Sequence, residues 1–146
     1  MRGHPPLTPD ELARACAEAM AATDLASREM GIELQAVGPG RATTRMRVAA
    51  TMANGHGMCH GGFVFLLADT AFAYACNTYG DVTVASGCDI VFAVTAHEGD
   101  ELTAEAVERA RFGRNGIYDV SVRRSDGELI AEMRGRSRTT AGKILS

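Results

Sequence analysis

A chain of 146 residues, 46% hydrophobic and 23% charged, is long enough to bury one core and reads as a single globular domain over 1–146. Its net charge of −3 excludes a general nucleic-acid binder, which needs a surplus of Lys and Arg. Nine of the fifteen basic residues nevertheless lie between Arg109 and Lys143, so an anionic ligand would find a local patch there.

Thr8-Pro9-Asp10-Glu11 is a helix start, with Thr8 as cap, Pro9 at the first helical position and Glu11 closing a capping box. Leu12, Cys16 and Met20 recur at spacing four, and the pattern predicts one packing helix to about Met30, where Gly31 breaks it. Ile32, Leu34 and Ala36 then alternate with polar residues up to the Gly38-Pro39-Gly40 turn. The return strand sets Ala42, Thr44, Met46 and Val48 on one face and Arg41, Thr43, Arg45 and Arg47 on the other, a half-buried hairpin with one wet face. Thr51 to Gly62 reads as a glycine-rich loop. From Gly62 to Asn77 the chain is apolar around nearly its whole circumference, which requires a helix buried on most sides. Four strands follow, over Val82–Val94, Glu101–Arg111, Ile117–Arg124 and Leu129–Thr139, the last two joined through Ser125-Asp126-Gly127. No proline occurs after Pro39 to interrupt them. One buried helix between a hairpin and a run of strands is an α+β pattern with a mostly antiparallel sheet. A sheet can enclose that helix only by curling around it with the help of a second copy.

The four cysteines, Cys16, Cys59, Cys76 and Cys88, form no C-x-x-C pair, and no charged-then-apolar stretch opens the chain. These features predict reduced thiols in a cytoplasmic protein. The apolar run around Asp69 is too short and too interrupted to span a membrane.

Asp69 is the most informative residue. It lies mid-helix, too far from the start to act as a cap, and an ionised carboxylate there costs several kcal/mol unless paired or reached by water. Burial raises its pKa. A structural Asp bonded to a neighbouring backbone group or hydroxyl is the alternative. The second feature is Asn54-Gly-His-Gly-Met-Cys-His60-Gly-Gly62. Glycines at a helix start admit a ligand close to the backbone, and the free N–H groups suit a developing oxyanion. A tight turn that merely needs glycine would look the same. His56 and His60 are four apart, but the intervening glycines oppose a helix and no third ligand accompanies them, so no metal is expected. Adjacent residues in an extended chain point apart, which argues against a Cys59–His60 nucleophilic pair. No G-x-S-x-G elbow is present.

Gly61 and Asp69 are eight residues apart on one helix, a rise of about 12 Å. A reacting carbon needs partners about 3 Å away. If both act, they come from different copies of the chain, and a two-fold dimer with two shared sites is expected.

The segment Asn54-Gly-His…Cys-His-Gly-Gly…Leu-Ala-Asp-Thr-Ala-Phe-Ala-Tyr-Ala-Cys-Asn77 resembles the phenylacetate-degradation thioesterases of the hotdog superfamily. Weaker likeness continues through Val84-Ala-Ser-Gly-Cys88, Gly99-Asp100, Gly116-Ile-Tyr-Asp119 and Arg134-Gly-Arg-Ser137, covering most of the chain after Ile32. The resemblance implies a curved antiparallel sheet around one long central helix, with an additional N-terminal helix. It implies hydrolysis of aryl- or phenylacetyl-CoA thioesters, including ring-hydroxylated ones, with no metal or cofactor beyond the CoA of the substrate. By position, Asp69 matches the family's carboxylate, acting as base or nucleophile, and Gly61 the glycine whose N–H polarises the thioester carbonyl. Asn54 matches an asparagine that places water or thioester, Thr70 a hydroxyl beside the carboxylate, and His60 a supporting member of the H-G-G motif. Pairing of dimers into a tetramer is also implied. The chain departs from the pattern at Ala93-Val-Thr-Ala-His97, where relatives often carry proline.

The phosphates of CoA need cations. Arg134, Arg136 and Arg138 alternate on one strand face, and Arg109 and Arg111 are expected to share another. A solvated sheet face would have the same pattern. The substrate-binding candidates are Arg111, Arg114, Arg134, Arg136 and, from the resemblance, Ser86. A CoA-dependent hydratase of the same fold would place a catalytic His beside the acid, and this helix has none. A non-catalytic acyl-CoA sensor would need an effector extension or a basic helix. Phe63, Phe65, Phe72, Tyr74 and Phe92 include the candidates for an aryl pocket.

Overall fold

The structure, a computed structural model, describes residues 3–146. Helix α1 (Pro9–Ala21) starts at the expected capping box: the Glu11 N–H donates to the Thr8 hydroxyl at 3.2 Å, and the Thr8 N–H to Glu11 Oε1 at 3.0 Å. The single helix expected to about Met30 is instead two. Asp24 interrupts it by capping a short helix α2 (Leu25–Glu29), taking the Ser27 N–H at 3.1 Å and its hydroxyl at 2.6 Å. An Asp satisfies orphan donors better at a new helix start than inside a continuing turn.

Strands β1 (Glu33–Gly38) and β2 (Arg41–Arg47) form the expected hairpin, with Ala42, Thr44 and Met46 buried and the arginines outward. A 3-10 turn at Ala50–Met52 and the glycine loop lead to helix α3 (Gly61–Cys76). Strands β3 (Asp81–Phe92), β4 (Glu101–Phe112), β5 (Asn115–Arg124) and β6 (Leu129–Lys143) follow. All pairings are antiparallel, in the order β1-β2-β4-β5-β6-β3. This is the α+β hotdog arrangement, a curved six-stranded sheet wrapped around α3.

The sheet's inner face is apolar. Leu102, Ala104 and Ala106 of β4, Tyr118, Val120 and Val122 of β5, and Ala131 and Met133 of β6 are buried against α3. Phe72 meets Tyr118 edge-on, with centroids 5.5 Å apart. Gly135 is required beneath it, because a Cβ there would lie 2.8 Å from the Phe72 ring. The helix is also tied by polar bonds. Thr44 donates to the Leu67 carbonyl at 3.2 Å. At the C-terminal end, the Asn77 amide bonds the Ala73 and Thr83 carbonyls and accepts the Thr83 N–H, fastening α3 to β3.

Two surfaces stay open in the single chain. Gly62, Leu66, Asp69 and Ala73 form a stripe along α3 that is less covered than the rest of its circumference, so the helix is buried on most sides, as expected, and open on one. The edge strand β3 is twelve residues long and exposes Val84, Val91 and Phe92.

Candidate active site

Asp69 lies on the open stripe of α3, where its carboxyl is half-buried and has no hydrogen-bond or ion-pair partner among the described residues. Burial pushes its pKa above the usual carboxylate range. The alternative of a structural Asp anchored to backbone or hydroxyl has no bond to support it. Thr70, buried beside it in sequence, gives its hydroxyl to the Leu66 carbonyl at 2.7 Å. The thiols of Cys76 and Cys88 lie near enough for the Asp69 charge to raise their pKa values, although burial is the larger cause in both and takes Cys76 to about 12.

The N-terminus of α3 is built by the glycine loop. The Asn54 side-chain oxygen accepts the N–H groups of His56 at 2.9 Å and Met58 at 3.1 Å, and Gly57 turns the chain with a φ of +75°. Asn54 therefore holds the loop through its oxygen, while its amide nitrogen takes part in no hydrogen bond among the described residues. His60 is the N-cap residue, exposed and without a side-chain cap bond. The Phe63 N–H returns to the His60 carbonyl at 3.0 Å, whereas those of Gly61 and Gly62 find no acceptor among the described residues. Two free donors at the positive end of a helix dipole are suited to an anionic oxygen. Gly61 leaves room for Phe92, whose ring would lie 2.8 Å from a Cβ at that position.

The cationic candidates separate into two places. Arg134 and Arg136 project from the outer sheet face. Arg134 binds Asp119 through two nitrogens, at 2.8 and 3.0 Å, and Arg136 binds Asp89 at 2.6 Å. Arg109 and Arg111 do not share a face as expected. Arg109 keeps the outward phase of the strand and reaches Asp119 at 2.8 Å, while the bulge between Glu108 and Ala110 shifts that phase and leaves Arg111 inward, over the Tyr79 ring at 3.6 Å. Arg111 and Arg114 are brought together at a cavity of about 390 Å³ beyond the C-terminal end of α3, with Cys76, Tyr118 and Ser137 among its lining. Ser86 lies in the β3 bulge between Ala85 and Gly87 and donates to the Arg136 carbonyl at 3.1 Å.

Sequence patterning passed over Tyr79 and Glu108. Glu108 follows Leu102, Ala104 and Ala106 on the inner face in unbroken alternation, but a Glu towards the end of a strand reads as wet surface, and no sequence signal marks the bulge after it that brings Arg111 round to the same side. Among the described residues no three His, Cys, Asp or Glu side chains gather closely enough to hold a metal, and no helix is long and apolar enough to cross a membrane.

The fold is a hotdog that carries a lone carboxylate on its apolar central helix and free N–H donors at the start of that helix. Residues 56–131 match the model of the Thioesterase superfamily. The chain belongs to that family. It is 42% identical over 128 residues to the Acyl-coenzyme A thioesterase PaaI of Escherichia coli (strain K12), covering 88% of this chain and 91% of the relative. The solved structure of the E. coli PaaI protein from the phenylacetic acid degradation operon superposes with a TM-score of 0.91 at 40% identity, over 93% of this chain and 99% of that one. A mutant of the phenylacetic acid degradation protein PaaI from Thermus thermophilus gives a TM-score of 0.77 at 33% identity, over 80% of this chain and 100% of that one.

Proposed function

We propose that this chain is an acyl-CoA thioesterase that cleaves aryl- or phenylacetyl-CoA-type thioesters, including ring-hydroxylated ones, to free acid and CoA in phenylacetate breakdown. The observation that carries the reading is the partnerless, half-buried Asp69 on the open stripe of α3. The E. coli relative, named an acyl-coenzyme A thioesterase and placed in a phenylacetic acid degradation operon, supports the choice of substrate class. The thioester oxygen accepts the Gly61 N–H, which stabilises the negative charge that develops as the carbonyl carbon becomes tetrahedral. Asp69 either attacks that carbon itself or takes a proton from the attacking water. The C–S bond breaks, the thiol leaves as CoA, and one water is consumed per acid formed. His60 and the Asn54 amide nitrogen stand beside the oxyanion site and orient the acyl group and water. Thr70 keeps a supporting place next to Asp69. Arg111 and Arg114 receive the phosphate end of CoA at the cavity rim, and Arg134, Arg136 and Ser86 lie on a second, outer route to the same strands. No metal or further cofactor takes part.

The working unit is a two-fold dimer. Gly61 and Asp69 of one chain are separated by a rise of about 12 Å along α3, so each site takes its glycine from one copy and its carboxylate from the other. The open stripe of α3 and the long apolar edge of β3 support this pairing, since uncovered edges of that kind associate. A tetramer built from two such dimers follows from the family resemblance. The four free cysteines fit action in the cytoplasm.

Thiol release from a panel of aryl-, phenylacetyl- and alkyl-CoA thioesters tests the reading. Turnover highest on the aryl and phenylacetyl members supports it. A protein that binds acyl-CoA without releasing thiol would overturn it.

A further inference from the structure

The cavity beyond α3 contains a cluster that the chemistry at Asp69 leaves unused. The Oε1 oxygen of Glu108 accepts the hydroxyl of Tyr118 at 2.9 Å and that of Tyr79 at 3.0 Å, and it pairs with Arg111 Nε at 3.2 Å. The Arg111 guanidinium carbon also lies over the Tyr79 ring, 3.6 Å from its centroid. The group is packed from behind by Gly40, where a Cβ would come within 2.8 Å of the Tyr79 oxygen and 3.0 Å of Glu108 Cβ. Among the described residues nothing engages the two terminal nitrogens of Arg111, which stands at the cavity rim near Arg114. A guanidinium fixed at Nε and on one face, with its outer edge free, is preorganised for a planar or tetrahedral anion.

We propose that Glu108, with Tyr79, is a positioning residue that holds Arg111 as a fixed anchor for a phosphate of the CoA thioester. The inference rests on the thioesterase reading and deepens it. Cys76 lines the cavity seven residues after Asp69 on the same helix, a rise of about 10 Å. An extended pantetheine arm is longer than that, so one CoA thioester can reach from the carboxylate to the arginine. A wandering arginine would lose side-chain freedom each time it met a phosphate. Glu108 removes that cost beforehand, and the benefit appears in substrate binding and not in the chemical step.

The test compares an acyl-CoA with the matching acyl-pantetheine, which carries the same acyl group and arm without phosphates. Glu108→Gln is expected to raise KM for the CoA ester by about 10-fold with kcat held within about twofold, and to change kcat/KM for the pantetheine ester by less than about twofold. Arg111→Gln should show the same split, and the double variant should be no worse than Arg111→Gln alone, because Glu108 acts through that side chain. Tyr79→Phe, which keeps the ring and loses one bond, should show a smaller rise of the same kind. It carries the test if Glu108→Gln does not fold. Equal losses on both esters, or a double variant whose losses multiply, would overturn the proposal. Titration of free CoA onto wild type and Glu108→Gln separates the two readings. Weaker CoA binding in the variant upholds the anchor even if no thioester is cleaved, and unchanged binding rejects it even in an active enzyme.

Discussion

At the scale of single residues, the reading turns on a carboxyl kept in an unfavourable place. Burial raises the Asp69 pKa and no partner offsets it, so its ionised form destabilises the folded chain. The sign follows from proton counting. Between the unfolded and folded pKa values the native state holds a proton that the unfolded state has lost, so stability falls as pH rises through that window and the penalty is complete above it. Asp69→Asn is therefore expected to lose about 10²- to 10⁴-fold in kcat while Tm at neutral pH stays level or rises by a few degrees. Steady-state thiol release and a thermal melt of the same preparation measure both. Near-wild-type turnover would remove Asp69 from the mechanism. The free-enzyme profile of kcat/KM should also rise with pH through an apparent pKa above that of an ordinary aspartate. Asp69 and Gly61 stand out in the sequence, the first because a charge inside an unbroken apolar run has few structural uses, the second because of the glycines around it. Glu108 does not stand out: alternation with Leu102, Ala104 and Ala106 puts it on the inner face, but its partner Arg111 joins it only through the bulge that follows, which carries no sequence mark.

At the scale of elements, α3 and the sheet constrain one another through contacts that leave little slack. Gly135 has no space for a side chain beneath the Phe72 ring. Gly135→Ala should cost about 1–3 kcal/mol by overpacking, read as a lower midpoint in urea with the slope unchanged. The outer face offers a contrast. Asp119 is held well below the usual carboxylate range by the hydrogen bond from Arg134, with Arg109 adding to it. A carboxylate with a depressed pKa stabilises the fold above its unfolded pKa, and that contribution is lost as pH falls through the folded value. Both arginines are more than half exposed, so the surface-pair scale applies: Asp119→Asn should cost about 1 kcal/mol or less at neutral pH, and less still in high salt. The helix–strand order was legible from periodicity, because α3 has no polar face and β4 to β6 alternate. The break at Asp24 was not, since an alanine-rich run reads as helix throughout and only the Ser27 contacts show where a second cap takes over. The separation of Arg109 from Arg111 was hidden for the same kind of reason, a local irregularity without a sequence mark.

At the scale of the whole molecule, the proposed site needs a second copy of the chain. The free N–H donors at Gly61 and Gly62 and the carboxyl of Asp69 lie two turns of helix apart, and the stripe that bears Asp69 is uncovered. The sequence announced this separation once α3 was recognised, because a helix fixes distance along its axis. The need of α3 for cover from a second copy was legible as well; which residues stay open in one chain, the Gly62–Ala73 stripe and the edge of β3, was not. Shared sites make a distinctive kinetic claim. Gly61→Val drives a side chain into the Phe92 ring at the start of α3, and Asp69→Asn removes the carboxylate. Each alone is expected to be inactive. A dimer of one copy of each contains one site with both defects and one with neither.

The most direct measurement is thiol release from phenylacetyl-CoA after the two inactive variants are mixed in equal amounts and their subunits exchanged, with heterodimers confirmed by differential tagging. Random exchange makes half the dimers mixed, each with one intact site, so activity should return to about a quarter of the wild-type value. Proven heterodimers without activity would contradict a site built from Gly61 of one chain and Asp69 of another.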